Sequence, residues 1–209
     1  FPDLYELGMS HQGLKILYEI LNARDGFLAE RVFAPWADRE EQLRREGAPL
    51  AALESGRPLS HFDVLGFTLP YELTYTNVLT MLDLAQLPLL ARDRDERHPL
   101  VIGGGPGAFN PEPLADFFDC FLLGDGEEAI LDIMEVVRAA RAGGLNREEQ
   151  LARLALVEGV YVPRFYHAEY DAAGRFAAIK PTRDGAPLPI RKRTLADLDA
   201  APWPVRPPV

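Results

Sequence analysis

The chain has 209 residues, a formal charge of −10, 47% hydrophobic residues and 26% charged residues, the balance of a globular protein with one core and an appendage. That acidity argues against a nucleic-acid surface on this segment. Cys120 is the only cysteine, which excludes an internal disulfide and a cysteine-built metal site, and no apolar run approaches the roughly 20 residues that span a bilayer. With no signal-peptide pattern either, the expected location is the cytoplasm. The chain opens on Phe1-Pro2-Asp3 and closes on the proline-rich run Pro202 to Val209. Both ends read as cuts in a longer protein, and the tail reads as a linker.

Phe1 to Gly8 reads as the end of a strand and its loop. Ser10 is a good N-cap for a helix to Asn22, in which Leu14, Leu17, Tyr18 and Leu21 keep helical spacing. Phe27 to Phe33 reads as a strand and Ala37 to Glu46 as a charged helix stopped by Gly47. Phe62 to Thr68 reads as a buried strand, succeeded by a helix from Pro70 to Gln86 and a short strand at Leu87 to Leu90. The basic and acidic run from Arg92 to Arg97 reads as a solvated face. Pro99 to Gly103 is a further strand, Pro111 to Asp116 one or two helical turns, and Asp119 to Leu123 another strand. Two more helices are expected, at Glu127 to Arg141 and from Asn146 to Leu156. Val160 to Tyr170 and Arg175 to Lys180 then read as a hairpin about Asp171-Ala172-Ala173-Gly174, and Leu195 to Asp199 as a short helix-like stretch. Strands alternating with helices predict an α/β fold, a doubly wound and mostly parallel sheet of about five strands. The expected division is 1–157 for this domain and 158–209 for a β-hairpin and proline-rich linker. Right-handed crossovers put the strand-to-helix turns on one edge of the sheet, where ligands bind in open α/β sheets.

Four turns at that edge carry candidate chemistry. Gly8-Met9-Ser10-His11-Gln12-Gly13 offers an imidazole beside a helix start, either as a cap or as a ligand contact. Gly66-Phe67-Thr68-Leu69-Pro70-Tyr71-Glu72 offers the Thr68 hydroxyl and the Tyr71 ring, while Tyr75, one helical turn on, reads as core. Val101-Ile102-Gly103-Gly104-Gly105-Pro106-Gly107-Ala108 formally satisfies a dinucleotide fingerprint, with Asp125 at about the expected distance. Against that, Pro106 removes an amide that would face a phosphate, Asn110-Pro111 interrupts the helix, and the match does not sit in the first βαβ unit. Gly124-Asp125-Gly126-Glu127-Glu128 puts two acids at a helix start, where they complement the helix dipole. His61, His98 and His167 show no ligand spacing, and no hydrolase, zinc-protease or P-loop motif is present.

Taken in order, Gly103-Gly104-Gly105-Pro106, Asn110-Pro111-Glu112, Asp119 to Leu123 and Gly124-Asp125-Gly126-Glu127-Glu128 resemble the N-terminal cobalamin-binding-type domain of many radical S-adenosylmethionine (SAM) proteins. Phe1 to Gly13 and Gly66 to Glu72 look like an uncharacterised subgroup of that family. The resemblance covers about residues 1–142. It implies a Rossmann-like fold and a corrinoid held over the carboxyl edge of the sheet. On that reading Ser10, His11, Gly13 and Thr68 supply polar contacts, and Phe67, Tyr71 and Phe109 apolar ones. Gly103, Gly104, Gly105, Pro106, Gly124, Gly126 and Glu127 bring the backbone close, with His11 the candidate cobalt ligand. The D-x-H-x-x-G loop of some cobalamin proteins is not matched, since Met9 stands where its aspartate would be. Radical SAM chemistry needs three cysteines for its iron–sulfur cluster. The resemblance therefore puts SAM and the [4Fe-4S] cluster in a downstream barrel of the same polypeptide and leaves this chain catalytically silent. Two other readings stand beside it: a nucleotide-binding oxidoreductase domain, and a docking domain that binds no cofactor.

Overall fold

The computed structural model describes residues 1–199 and residue 201. Its centre is a four-stranded sheet of β1 (Val64–Thr68), β2 (Leu100–Gly104), β3 (Cys120–Leu122) and β4 (Val160–Tyr161), lying side by side in chain order. β1 runs parallel to β2 and β2 to β3, while β4 returns antiparallel along β3. The period of two divides each strand between two cores. Leu65, Phe67, Val101, Phe121 and Tyr161 face one side, packed with Val78, Met81 and Leu82 of α4 (Tyr75–Leu84). Leu100, Ile102, Cys120, Leu122 and Val160 face the other, packed with Ile133 and Val137 of α5 (Gly126–Ala142) and Leu151 and Leu154 of α6 (Arg147–Leu154). Cover on both faces is why β2 and β3 read as unbroken apolar runs.

The N-terminal part adds α1 (Tyr5–Gly8), α2 (Gln12–Asn22) and α3 (Ala37–Glu46). α2 lies along α5, with Leu17 against Gly126. α3 ends at Gly47, whose left-handed φ of 61° suits a residue without Cβ. α6 opens with a complete capping box between Asn146 and Glu149. A separate two-stranded sheet, β5 (Tyr166–Tyr170) and β6 (Phe176–Pro181), turns at Asp171, whose carboxylate accepts from the Ala173 and Arg175 amides.

The mixed α/β fold and the hairpin agree with the sequence reading, but the strand count and winding do not. The main sheet has four strands, and their order never reverses, so the described strands form no switch point of the doubly wound kind. Phe27 to Phe33 is extended without pairing in either sheet. Its Arg31 amide goes to the Glu54 carboxylate, the Arg31 carbonyl to the Leu53 amide, and Leu28 is exposed. Leu87 to Leu90 is not a strand because the buried Arg94 guanidinium takes the Pro88 and Leu89 carbonyls. Tyr5 to Gly8 is a helical turn, and Leu195 to Asp199 forms bends without a helix. The expected strand from Val160 to Tyr170 is split by a turn at Pro163–Phe165, so its first two residues join the main sheet. The proline-rich run of 202–209 lies outside the described residues. Among the described residues no helix is long and apolar enough to cross a membrane.

Candidate functional site

The turns after β1 and β2 are built against each other. Thr68 is in register with Gly104, the Leu69 amide donates to the Gly104 carbonyl at 2.7 Å, and the Gly107 amide donates to the Leu69 carbonyl at 2.8 Å. The Tyr75 hydroxyl reaches the Gly107 carbonyl at 3.2 Å. Gly105 has a φ of 91°, and a Cβ there would lie 3.2 Å from the Leu69 carbonyl oxygen. The glycine run thus lets two loops close on one another. After β2 the chain makes a four-residue 3₁₀ turn, Pro106–Phe109, and no α-helix starts there. The Gly107 and Ala108 amides are spent on Leu69 and Gly105. The dinucleotide reading fails at this point, because no helix N-terminus or free amide row is left for a pyrophosphate.

Nine of the sequence-predicted residues divide into three groups. Phe67 and Gly103 belong to the core. Phe67 is buried edge-on to Phe118, and a Cβ on Gly103 would come within 2.7 Å of the Phe121 ring. They are corrected from ligand contacts to packing residues. A second group stays accessible. Gly104 faces space with nothing within 4 Å of a Cβ, as does Gly66 on β1. Thr68 is half-buried, Tyr71 is exposed and donates to the Asp3 carboxylate at 2.5 Å, and Phe109 is 60% exposed beside the Pro106 turn. Leu73, which the sequence reading passed over, is 85% exposed after the same β1 turn. The third group caps the chain's own elements. Ser10 is not the N-cap of α2, and its hydroxyl donates to the Leu7 carbonyl. His11 is the cap, its Nδ1 accepting the Leu14 amide at 3.1 Å, with Gly13 against the ring. Burial lowers the His11 pKa from 6.5, which favours the neutral ring that a cap acceptor requires.

The turn after β3 is covered by a later segment. The Arg193 amide donates to the Leu123 carbonyl at 2.8 Å, and the Asp125 amide donates back to the Arg193 carbonyl at 3.0 Å. Gly124 and Arg193 form a parallel bridge. The Arg193 guanidinium reaches Glu128 at 3.0 Å and Asp132 at 3.1 Å on α5. Gly126 lies under Leu17 of α2, and Glu127 is half-buried in the first turn of α5. A corrin ring does not fit these residues as they stand. Phe67 and Gly103 are inside the core, the backbone of Gly124 is under Arg193, and His11 already spends Nδ1 on its helix.

Two features escaped the sequence reading. Asp119, just before β3, has a fully buried side chain that accepts from the Val101 amide, from Arg147 at 2.8 and 3.1 Å, and from Arg94 at 3.2 Å. Arg94 sits in the run read as a solvated face, yet it is 4% exposed. Its guanidinium pKa is lowered, chiefly by burial. The only signal was an aspartate inside the apolar run Phe118 to Leu123. The second feature is a cleft of ≈ 280 Å³ between the hairpin and the loop before β3, lined among others by Arg164, Tyr166 and Ile179. Tyr161 in its wall donates to Glu112 at 2.6 Å, and burial, with that bond, raises its phenol pKa. None of the sequence-predicted site residues lines the cleft. Among the described residues no group of three or more His, Cys, Asp or Glu side chains is placed to hold a metal ion.

The family model for the N-terminal region of radical SAM proteins matches residues 13–163. The chain belongs to this radical SAM N-terminal family. The match runs from α2 through β4 and into the turn before the hairpin, so it takes in the whole four-stranded sheet with both of its helical faces. No curated protein and no solved structure matches the chain. The family membership agrees with the resemblance read from the glycine turns, at the level of a radical SAM N-terminal domain.

Proposed function

We propose that this chain is the N-terminal docking domain of a radical SAM protein, set against a downstream iron–sulfur and SAM barrel of the same polypeptide. On this reading residues 1–157 are a Rossmann-like domain reduced to three parallel strands and one returning strand, and 158–209 lead towards the barrel in the cytoplasm. The observation that carries it is the apolar exposure at the carboxyl edge. Tyr71, Leu73 and Phe109 are 43%, 85% and 60% exposed, on two turns tied together through Leu69 and Gly107. Apolar side chains exposed on two joined turns at such an edge offer a contact surface to a neighbouring domain. The chemistry belongs to the barrel, since a cluster needs three thiolates. The single Cys120 is buried in the core, and burial raises its thiol pKa. The test is the triple substitution Tyr71→Ser, Leu73→Ser, Phe109→Ser in the longer protein. It lowers SAM cleavage while the substituted domain alone keeps its melting temperature. Unchanged cleavage rules the docking reading out.

A second reading keeps a corrinoid on this edge. Gly66 and Gly104, which face open space on one side of the sheet, favour it, with Thr68 in register beside Gly104. It requires the Arg193 segment to move off Gly124. Titration with hydroxocobalamin decides it: retained colour after desalting supports the corrinoid, and an unshifted visible spectrum excludes it for this chain.

A further inference from the structure

The turn Gly124-Asp125-Gly126-Glu127-Glu128 has no part in the docking surface, yet a later segment of the chain is bonded across it. Its partner is an extended basic run, Arg191-Lys192-Arg193, downstream of the hairpin. Ile190 packs against the α4-side core just before it. Arg193 then exchanges backbone hydrogen bonds with Leu123 and Asp125, and the Leu195 amide donates to the Asp125 carboxylate at 2.8 Å. Asp125 therefore receives the segment on both its amide and its side chain. The Arg193 side chain is 19% exposed and lies among Glu128, Asp132 and Glu158, at 3.0, 3.1 and 4.0 Å.

Two glycines leave room for this passage. Gly124 and Gly159 have φ values of 106° and 89°. A Cβ on Gly124 would run into the Arg193 carbonyl oxygen and lie 2.8 Å from its amide nitrogen, and one on Gly159 would lie 3.0 Å from that nitrogen. The glycine-acid-glycine sequence thus reads as a seat for a peptide backbone, with the acids at the start of α5 as its charge complement.

We infer that this seat is a binding surface for an extended basic peptide and that residues 191–195 occupy it as a releasable latch. The latch fixes where the chain leaves the sheet and closes the β3 end of the carboxyl edge to other occupants. Its ion pairs face solvent, with Glu128 and Asp132 half exposed, so each is weak and screened by salt. The two backbone bonds set the register, and the charges set how often it opens. The inference stands apart from the docking role, because it concerns the 1–209 chain alone with no ligand or barrel present.

The test is amide hydrogen exchange on the 1–209 chain. In low salt the Arg193 and Asp125 amides are protected. The double substitution Glu128→Gln, Asp132→Asn, or Arg193→Ala, speeds exchange at residues 193–195 and at Asp125 by about fivefold and leaves Phe121 and Leu122 unchanged. Salt of about 1 M, where screening acts within about 3 Å, has the same local effect on the wild-type chain. Trypsin gives an independent reading, with cleavage after Arg191 and Lys192 accelerated in the double variant and cleavage after Arg175 unchanged. Free exchange at Arg193 in the wild-type chain overturns the latch. So do variants that leave 193–195 as protected as before, or that accelerate Phe121 equally.

Discussion

At the residue scale, His11 and Asp119 show how position decides what a polar side chain does. His11 Nδ1 caps α2, so His11→Ala costs about 1 kcal/mol and His11→Asn restores most of it, measured by urea denaturation at pH 8. The sign of its pH dependence comes from a pKa lowered by burial. Below the ordinary value of 6.5 the unfolded chain binds the proton more readily than the folded one, so stability falls as pH drops through that range. The His11→Asn variant loses this component, and the difference between the two stability curves across pH 8 to about 5 reports it. Asp119 is a stronger case. Removing the one carboxylate between two buried guanidiniums leaves them unpaired, so Asp119→Ala costs about 3–5 kcal/mol, read as a lower urea midpoint. The sequence offered His11 as either cap or ligand, and the hydrogen bond from the Leu14 amide shows the cap. It offered nothing for Arg94 or Arg147, because their partner lies 25 and 28 residues away and no local pattern encodes that distance.

At the scale of elements, Gly103 and Gly104 are neighbours with opposite demands. A methyl on Gly103 meets the Phe121 ring at 2.7 Å, so Gly103→Ala costs about 1–3 kcal/mol. A methyl on Gly104 meets nothing within 4 Å, and Gly104→Ala stays within about 0.5 kcal/mol. Thermal melting of the two variants separates them, and Phe121→Leu recovers part of the Gly103→Ala loss if the ring is the cause. The strands β1 to β3 were legible as short apolar runs bounded by turn residues, and the helices α3 to α6 by local spacing with stops such as Gly47 and Gly143 and the Asn146 cap. Phe27 to Phe33 has the same local look as a strand, but strand pairing depends on a partner edge, and its polar groups go instead to Asn22, Glu54 and Leu53. The glycine turns were legible as turns on one edge. Their contents were not, since Phe121 fills the space beside Gly103 and Arg193 comes from a polar run without periodicity.

At the scale of the whole molecule, the family match covers the complete sheet, and Tyr71, Leu73 and Phe109 are exposed on turns at its carboxyl edge. The same edge is closed beside β3 by the chain's own residues 191–195. On the docking reading, the apolar part of this edge meets the neighbouring domain while residues 191–195 cover the part beside β3. Deleting residues 190–209 from the chain exposes Gly124 and Gly159 and removes the Arg193 cross-link, while the hairpin keeps its own ladder of pairs. The shortened chain therefore stays folded and gains exchange at Asp125, whose amide loses the Arg193 carbonyl. The most direct test of the docking account compares amide exchange of this chain with that of the same residues in the longer protein that carries the barrel. The account predicts slower exchange at residues 71–75 and 107–110 in the longer protein and no change on the exposed face of α3. Equal exchange in the two proteins at Tyr71 to Tyr75 and Gly107 to Asn110 would contradict it.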